Sequence, residues 1–174
     1  MKTKTNYVYK IMPTVIGKLK LIASDQGLAA ILWENDKPSR VRLGTPTEDN
    51  NHPILLKAER ELAEYLDGKR KTFTVKLDPA GTPFQNQVWD ALKAIPFGET
   101  RSYATIAKQI GNIKAVRAVG AAIGRNPISV IVPCHRVIGS SGDLVGFAGG
   151  LKTKKFLLAR ESSGDAKKFS LSDR

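Results

Sequence analysis

The spacing of apolar residues changes between Asp78 and Gly81, and this change restricts the possible folds more than any other feature of the chain. On its N-terminal side, short apolar runs are cut by Pro, Gly and Asp, a pattern typical of an antiparallel meander. On its C-terminal side, Thr82-Pro83-Phe84-Gln85 has the form of a helix capping box, and apolar residues then recur at helical spacing. The sequence therefore predicts an α+β protein with an N-terminal antiparallel-sheet domain over residues 1–80, a C-terminal domain over 81–163 and a flexible tail over 164–174.

The N-terminal domain is predicted to combine a sheet with one helix. Residues 34–51 are polar and contain several turn formers, which indicates a loop. Apolar residues recur at helical spacing between Pro53 and Gly68. They predict a helix over Ile54–Leu66, because proline favours the first position of a helix and glycine often follows the last. Strands are predicted at Tyr7–Met12, Val15–Ile22, Gly27–Trp33 and Lys69–Leu77.

The C-terminal domain is predicted to be mainly helical. A short helix capped by Ser102 and ended by Gly111 is followed by a second helix over 115–123, and this pair resembles a helix-turn-helix. Small side chains make the second helix slim, which suits either close helix packing or a close approach to DNA. The apolar run Ile128–Val132 predicts a buried strand. Further helices are predicted from Thr82 to about Ile95 and over Leu151–Glu161.

Cys134 is the only cysteine of the chain and directly follows this predicted strand, in Pro133-Cys134-His135-Arg136-Val137. A lone cysteine is most often a small core residue. A cysteine followed by histidine, at the end of a strand in a basic protein, is a candidate nucleophile, because a histidine can remove the thiol proton. Consecutive residues of an extended segment point in opposite directions, so either a turn follows Pro133 or a water molecule bridges the two side chains.

Two further polar residues are candidates for the same site. A histidine that acts as a base needs an acceptor on its second ring nitrogen, and Glu161 at the end of the last helix can supply one. Asn126, which precedes Pro127, can bridge backbone turns near the cysteine. Each residue also has a purely structural interpretation, Glu161 as an exposed charge at a helix end and Asn126 as a turn residue.

The charge distribution limits the kind of partner and the compartment. The formal net charge is +12; residues 81–174 carry 14 Lys/Arg against 6 Asp/Glu, whereas residues 1–80 carry 14 against 10. A basic C-terminal half indicates either a nucleic-acid partner or a surface charged for solubility. With one cysteine and two histidines we expect no disulfide and no metal site, and a reducing, cytoplasmic location without a membrane partner.

The motif around Cys134 resembles the active-site motif of the O6-alkylguanine-DNA alkyltransferases. The resemblance extends over roughly the whole C-terminal half, through many blocks in the same order, whereas the N-terminal half is similar only in general character. The matching blocks are residues 82–85, 88–89, 95–100, 102–103, 106–107, 117–120, 124–127, 133–137, 149–151 and 157–161.

This resemblance implies both a fold and an activity. The N-terminal domain is expected to be ribonuclease H-like, and the C-terminal domain a winged helix-turn-helix. The implied activity is direct DNA repair: an alkyl group leaves O6 of a flipped-out guanine, or O4 of thymine, in double-stranded DNA and stays on Cys134. Each monomer then acts once and needs no cofactor. His135 is implied as the water-mediated base, Glu161 as its orienting acid and Asn126 as a residue that stabilises a hinge. In a prokaryote the protein would be associated with the nucleoid.

The same resemblance implies further roles in DNA binding. Arg117 matches the finger that fills the vacated place in the base stack, and Tyr103 matches the tyrosine that helps to turn the nucleotide. The helix that carries Ala118 and Gly120 is expected in the minor groove, which is unusual for a helix-turn-helix. The predicted DNA-binding set also includes Ser102 and Arg125, and the predicted guanine pocket consists of Val137, Ala148 and Gly149.

Two departures from the family pattern concern the substrate and the metal. Ala148 stands where some relatives place a serine hydroxyl near the guanine O6, so only the backbone N–H of Ala148 can donate there. The cysteines with which some relatives bind zinc in the N-terminal domain are missing from this sequence.

Two other functions are compatible with parts of the pattern. A protein that binds DNA damage without transferring the alkyl group lacks the reactive cysteine, so Cys134 argues against it. A cysteine hydrolase predicts continued product release after a burst, whereas a transferase of this family predicts a stop at one equivalent.

Overall fold

In the computed structural model, the chain divides into two compact units, Met1–Ala80 and Gly81–Arg174. The structure describes residues 5–162. The predicted tail over 164–174 therefore lies outside the described residues. The α+β fold class is confirmed, since a sheet dominates the first unit and helices dominate the second.

The first unit is built on a four-stranded sheet with the order β3-β2-β1-β4. Strand β1 pairs antiparallel with β2, β2 pairs antiparallel with β3, and β4 adds a short parallel strand at the edge. Strand β4 lies inside the segment predicted as a loop. The strands are β1 (Val8–Thr14), β2 (Gly17–Ala23), β3 (Leu28–Trp33) and β4 (Thr47–Glu48).

The strand predicted at Lys69–Leu77 is wrong. Within this segment, Leu77 makes only an isolated parallel bridge to Leu28. The reason is that backbone N–H groups which a strand would pair with a neighbour instead donate to a side chain. Thr74 N and Val75 N both donate to Oε1 of Glu61, at 2.9 and 3.0 Å.

Helix α1 (Pro53–Leu66) forms as the sequence predicts. Proline begins the helix, Nδ1 of His52 accepts a hydrogen bond from Ile54 N at 3.3 Å, and Gly68 follows with a left-handed φ of 78°. The apolar residues at helical spacing form its buried face against the sheet. These buried apolar residues are Leu55, Ala58, Leu62, Tyr65 and Leu66.

The second unit opens with the predicted capping box, and Thr82 and Gln85 each bond the other's backbone N–H. The first helix packs against the slim helix of the helix-turn-helix, where the Trp89 indole donates to Ala122 O at 2.9 Å. The helices and strands of this second unit are α2 (Pro83–Lys93), β5 (Arg101–Ser102), α3 (Tyr103–Gln109), α4 (Val116–Gly124), β6 (Val137–Ile138) and α5 (Leu151–Glu161).

The buried strand predicted at Ile128–Val132 is also wrong. The segment is buried as expected, but it turns back on itself: Val132 N donates to Ile128 O and Ile131 N donates to Ser129 O, both at 2.9 Å. Val130 takes a left-handed φ of 75°, which no strand residue adopts. A short apolar run predicts burial but does not determine the backbone conformation.

Candidate active site

Cys134 begins a single turn of 3-10 helix over Cys134–Arg136 and is 7% exposed. Pro133 precedes the turn, and the backbone N–H of Cys134 donates to Val132 O at 2.8 Å. The structure therefore has the turn after Pro133 that the sequence suggested as one possibility. Because the turn departs from extended geometry, adjacent side chains need not point in opposite directions.

His135 is fully buried and forms a hydrogen bond with Glu161, the last residue of α5, at 2.7 Å between Nε2 and Oε2. Arg136 also binds this carboxylate: its Nε donates to Oε1 at 2.7 Å and its Nη2 to Oε2 at 3.0 Å. A third bond joins Arg136 Nη1 to Ile95 O at 2.7 Å. The consecutive residues His135 and Arg136 therefore hold one buried carboxylate from two sides.

The burial and charges of this cluster determine its protonation. Burial by itself would raise the pKa of Glu161, but its hydrogen bonds with His135 and Arg136, the Arg136 cation, and the charge that His135 carries once it is protonated at low pH outweigh burial and lower that pKa to about 2. Burial lowers the pKa of His135, and the contact with Glu161 offsets this only in part. At neutral pH the site thus holds an ionised Glu161 and an uncharged imidazole.

The protonation states also determine the tautomer of His135. An ionised carboxylate only accepts, so Nε2 must carry the proton of the neutral ring. Nδ1 then presents a lone pair. This atom is buried and has no hydrogen-bond partner among the described residues. A buried basic nitrogen with a free lone pair is able to accept a proton.

Asn126 stabilises the turn that precedes Cys134 through two side-chain hydrogen bonds to the backbone. The side chain is buried, its Nδ2 donates to Val132 O at 2.9 Å, and its Oδ1 accepts from Ile128 N at 3.0 Å. Asn126 therefore bridges two backbone turns ahead of the cysteine, the geometry that the sequence suggested for it.

Tyr103 and Ser102 are tied to the cysteine segment through the backbone. Strand β5 pairs parallel with β6, which places Ser102 opposite Ile138. The Ser102 hydroxyl then caps α3 by accepting from Thr105 N at 3.1 Å, and Tyr103 is the first residue of that helix. Half-burial raises the pKa of Tyr103, and a negative charge on Cys134 raises it further. Its phenol is therefore within electrostatic range of the sulfur.

The residues predicted for a guanine pocket lie after the cysteine turn. Val137 in β6 is fully buried, whereas Ala148 is exposed and Gly149 partly exposed in the loop before α5. In the same loop, the Phe147 ring meets the His135 ring edge-on at 6.5 Å between centroids. The loop thus contacts the buried histidine through Phe147.

The residues predicted for the slim DNA-binding helix lie on α4 and at its C-terminal end. Arg117, Ala118 and Arg125 are exposed, and Gly120 is partly exposed. A Cβ at Gly120 would lie 3.8 Å from the Tyr103 ring, an ordinary contact, so internal packing does not require glycine there.

Two residues that the sequence interpretation did not single out take part in the site. Arg136 had a detectable signal, since it lies inside the recognised motif. Lys154 is fully buried in α5, where it shares the inward phase of Leu157 and Glu161. A lysine at an apolar position of a helix is an unusual feature, and it could have been noticed.

Residues 5–162 contain neither a candidate metal cluster nor a helix able to span a membrane. In this range, His, Cys, Asp and Glu form no group of three or more able to hold a metal ion. None of its helices has the length and apolar character that crossing a bilayer requires.

The fold and the site define a two-domain protein with a candidate cysteine nucleophile in a helix-turn-helix domain. Two family models match the chain: the 6-O-methylguanine DNA methyltransferase ribonuclease-like domain over residues 7–79, and the DNA binding domain of the same family over residues 83–163. The chain belongs to the 6-O-methylguanine DNA methyltransferase family. The resemblance drawn from the sequence is therefore confirmed.

Curated relatives and solved structures agree with this assignment. A methylated-DNA–protein-cysteine methyltransferase of Methanosarcina acetivorans is 48% identical over 89% of this chain and 98% of its own. The constitutive enzyme of that name from Bacillus subtilis is 53% identical over 88% and 93%. The structure of Mycobacterium tuberculosis OGT in complex with DNA matches with a TM-score of 0.83 and 43% identity over 95% of this chain and 99% of that one.

Proposed function

We propose that this protein repairs alkylated double-stranded DNA in one step, by moving an alkyl group from O6 of guanine to Cys134. The sulfur forms a bond to the alkyl carbon, the bond between that carbon and O6 breaks, and the electron pair stays on the guanine. The proton lost by the thiol balances the proton that the restored guanine gains. The thioether is stable, so each molecule acts once.

The observation that carries this proposal is that Nδ1 of His135, the residue after Cys134, has no hydrogen-bond partner within the described part of the chain. A free thiol with a pKa of about 8.5 is mostly protonated at neutral pH, so a base is needed. His135 Nδ1 takes the thiol proton through a bridging water, and the ionised Glu161 stabilises the imidazolium that forms. Arg136 keeps Glu161 ionised and in place.

Access to the lesion requires base flipping. A guanine inside the duplex hides O6 from the sulfur, and extrusion costs a few kcal/mol. Arg117 fills the vacated place in the stack, and Tyr103 helps to turn the nucleotide and donates toward the base. Helix α4 lies in the minor groove, where Ala118 and Gly120 permit close approach. Ser102 and Arg125 bind the DNA backbone.

The flipped base is held by Val137 and by the loop with Ala148 and Gly149. Since position 148 lacks a hydroxyl, its backbone N–H donates to O6. Such a contact also suits O4 of alkylthymine, which is the second substrate we propose. The protein acts as a monomer in the cytoplasm, in a prokaryote on the nucleoid, where its DNA and a reducing environment coincide.

The decisive experiment measures stoichiometry. The protein is incubated with excess duplex containing O6-methylguanine, and its intact mass is recorded over time. We expect a gain of one methyl group followed by a complete stop. Because Cys134 is the only cysteine, Cys134→Ala removes every thiol and should gain nothing.

Two outcomes would refute the proposal. DNA binding without a mass change would indicate a damage-binding protein, and continued repair beyond one equivalent would indicate a hydrolase. Parallel duplexes with O6-ethylguanine, O6-benzylguanine and O4-methylthymine define the substrate range. Repetition at several salt concentrations measures the contribution of phosphate contacts, since affinity falls as salt rises.

A further inference from the structure

A cavity in the first unit plays no part in the proposed alkyl transfer. Its volume is about 440 Å³, which is in the size range of ligand pockets. Strands β1, β2 and β3 contribute to its lining together with residues 34–41, which follow β3. The apolar part of this lining consists of Ile11, Leu19, Leu32, Trp33, Pro38 and Val41.

Part of the lining is a row of side chains that crosses the sheet. Ile11 pairs with Lys20, and Lys20 pairs with Leu32. Directly opposed residues of antiparallel strands project from the same face of the sheet. Ile11 is 40% exposed although it lies in the middle of β1. The apolar lining of the cavity is therefore open to solvent.

The segment after β3 is held to the sheet by a buried ion pair. Asp36 accepts from Trp33 N at 3.1 Å and from Arg40 Nε at 2.7 Å, while Arg40 Nη2 donates to Ile31 O at 3.3 Å. The side chains of Arg40 and Asp36 are only 8% and 10% exposed. The cavity wall is thus formed before any partner binds, and Arg40 already neutralises the Asp36 charge.

Three lysines line the same cavity, namely Lys18 and Lys20 on β2 and Lys37 in the segment after β3. Lys18 and Lys37 are exposed, and over residues 5–162 neither lies within ion-pair distance of a carboxylate. The Lys20 ammonium lies over the Tyr9 ring at 4.4 Å, a contact that leaves its positive charge in place. Apart from Asp36, the one acid in the lining is the exposed Glu34, so the cavity carries a net positive charge.

We propose that this cavity docks an acidic segment of a partner protein, which inserts one large apolar side chain and places flanking carboxylates against Lys18, Lys20 and Lys37. An apolar centre surrounded by charges is the usual arrangement of a small protein interface. The proposal concerns the first unit and does not depend on alkyl transfer.

The lining favours an acidic peptide over other anions. A fatty acid has one carboxylate, whereas the three lysines come from two segments and can each take a carboxylate of their own. Nucleic acid offers many phosphates, but its bases bind by stacking on aromatic rings. Trp33 is the only aromatic residue in the lining and is 8% exposed, so it presents almost no ring surface for stacking.

The test measures binding of a fluorescein-labelled peptide, Asp-Glu-Asp-Phe-Asp-Glu-Asp, to the full chain by fluorescence anisotropy at low salt. We expect saturable binding, and about tenfold weaker binding when alanine replaces the phenylalanine of the peptide. Lys18→Glu and Lys37→Glu should each weaken binding of the phenylalanine peptide about fivefold or more, because attraction becomes repulsion.

Two control variants make the same charge reversal at exposed positions outside the cavity. Lys76→Glu lies in the first unit and Arg117→Glu lies on α4, and each should keep the affinity within about twofold of wild type. Circular dichroism and thermal unfolding check that all variants are folded.

A second pair of variants tests the apolar contact. Ile11→Thr keeps a β-branched residue in the strand but places a hydroxyl in the cavity lining, and it should weaken the phenylalanine peptide about fivefold. The same variant should leave the alanine peptide unchanged, because the two substitutions remove one shared contact. Val15→Thr makes a similar change at an apolar residue that is 61% exposed and outside the lining, and it should bind like wild type.

Three outcomes overturn the proposal. Equal affinity for the phenylalanine and alanine peptides would mean that no apolar side chain enters the cavity. An equal loss in Lys37→Glu and in either charge control would mean that the peptide responds only to net charge or binds the α4 surface. Calorimetric binding of decanoate, with no binding of the peptide, would identify the cavity as a site for a small amphipathic anion.

Discussion

Glu61 and Glu161 are both nearly fully buried carboxylates on helices, one in each unit of the molecule, and each has an arginine nearby. They differ in their other hydrogen-bond donors. Glu61 accepts from the backbone of Thr74 and Val75 and from the Thr74 hydroxyl. Glu161 accepts from two side chains, the His135 imidazole and the Arg136 guanidinium.

In both environments the carboxylate is ionised, but only one of the two carboxylates can assist proton transfer. For both groups burial raises the pKa, and hydrogen bonds with a nearby positive charge outweigh it, so each pKa is lowered. Backbone amides and hydroxyls do not titrate near neutral pH, so the contacts of Glu61 stabilise the backbone but cannot support proton transfer. The imidazole beside Glu161 does titrate, and its second nitrogen has no hydrogen-bond partner among residues 5–162. Burial of a carboxylate therefore does not identify a site, whereas the identity of its donors does.

The largest expected effect is on methyl transfer. Glu161→Gln removes the charge that stabilises the His135 imidazolium, and we expect single-turnover transfer to slow by about a hundredfold or more. Glu61→Gln should leave the rate constant per folded molecule within about twofold of wild type. Quenched-flow transfer with O6-methylguanine duplex measures both. Equal losses in the two variants would show that the carboxylates do not differ in function.

The next effect is on the free energy of unfolding. Glu161→Gln leaves the Arg136 cation buried without its counter-charge, which should cost about 3–5 kcal/mol at pH 7. Glu61→Gln weakens hydrogen bonds to a largely uncharged set of donors and should cost about 1–3 kcal/mol. Urea unfolding measures both losses in the free energy of unfolding, provided that its dependence on urea concentration is the same in wild type and variants.

The same experiment has a pH control. A lowered folded pKa contributes stability above the ordinary value of 4.5, and this contribution disappears as the pH falls toward about 2. The gap between wild type and Glu161→Gln should therefore shrink steadily below pH 5. A gap that is the same at pH 3 and pH 7 would mean that Glu161 is not held ionised by its partners.

The smallest expected effect concerns the pH profile of transfer. The pKa of His135 lies below its ordinary 6.5, because burial disfavours the charged ring. The neutral base is therefore present at pH 6.5, and the rate should decline only below that value, by up to about tenfold per unit. Glu61→Gln should reproduce this profile. A wild-type rate already halved at pH 7 would contradict a desolvated histidine.

The sequence predicted helices more accurately than it predicted the non-helical segments. Capping residues and helical spacing are local signals, and they located α1, α2 and α5 well. The predicted strands at Lys69–Leu77 and Ile128–Val132 depended on apolar or alternating runs. Such runs report burial, but whether a ladder forms depends on partners far along the chain. Glu61 takes the N–H groups in the first case, and Asn126 stabilises turns in the second.

The candidate site could be assembled from the sequence only in part. The adjacency of Cys134 and His135 is visible in the sequence itself. Glu161 could be predicted because a histidine base requires an orienting acceptor. Three other features depend on how α5 packs against the cysteine turn. They are the His135 Nδ1 without a partner among the described residues, the hydrogen bonds from Arg136 to Glu161, and the buried Lys154. Packing of this kind leaves no periodic trace in the sequence apart from the lysine at an inward position.

The turn that carries the cysteine has a consequence for protein engineering. Asn126 accepts a hydrogen bond from Ile128 N and donates one to Val132 O, and Cys134 N donates to Val132 O, so all three bonds lie within one continuous stretch of chain. A β-strand at this place would have needed a host sheet with a matching edge. The observed loop needs no sheet as far as Cys134, whereas Arg136 donates to Ile95 O and Val137 pairs with Arg101 of β5. A transplanted site would therefore have to include these two partners as well as the helix that bears Glu161.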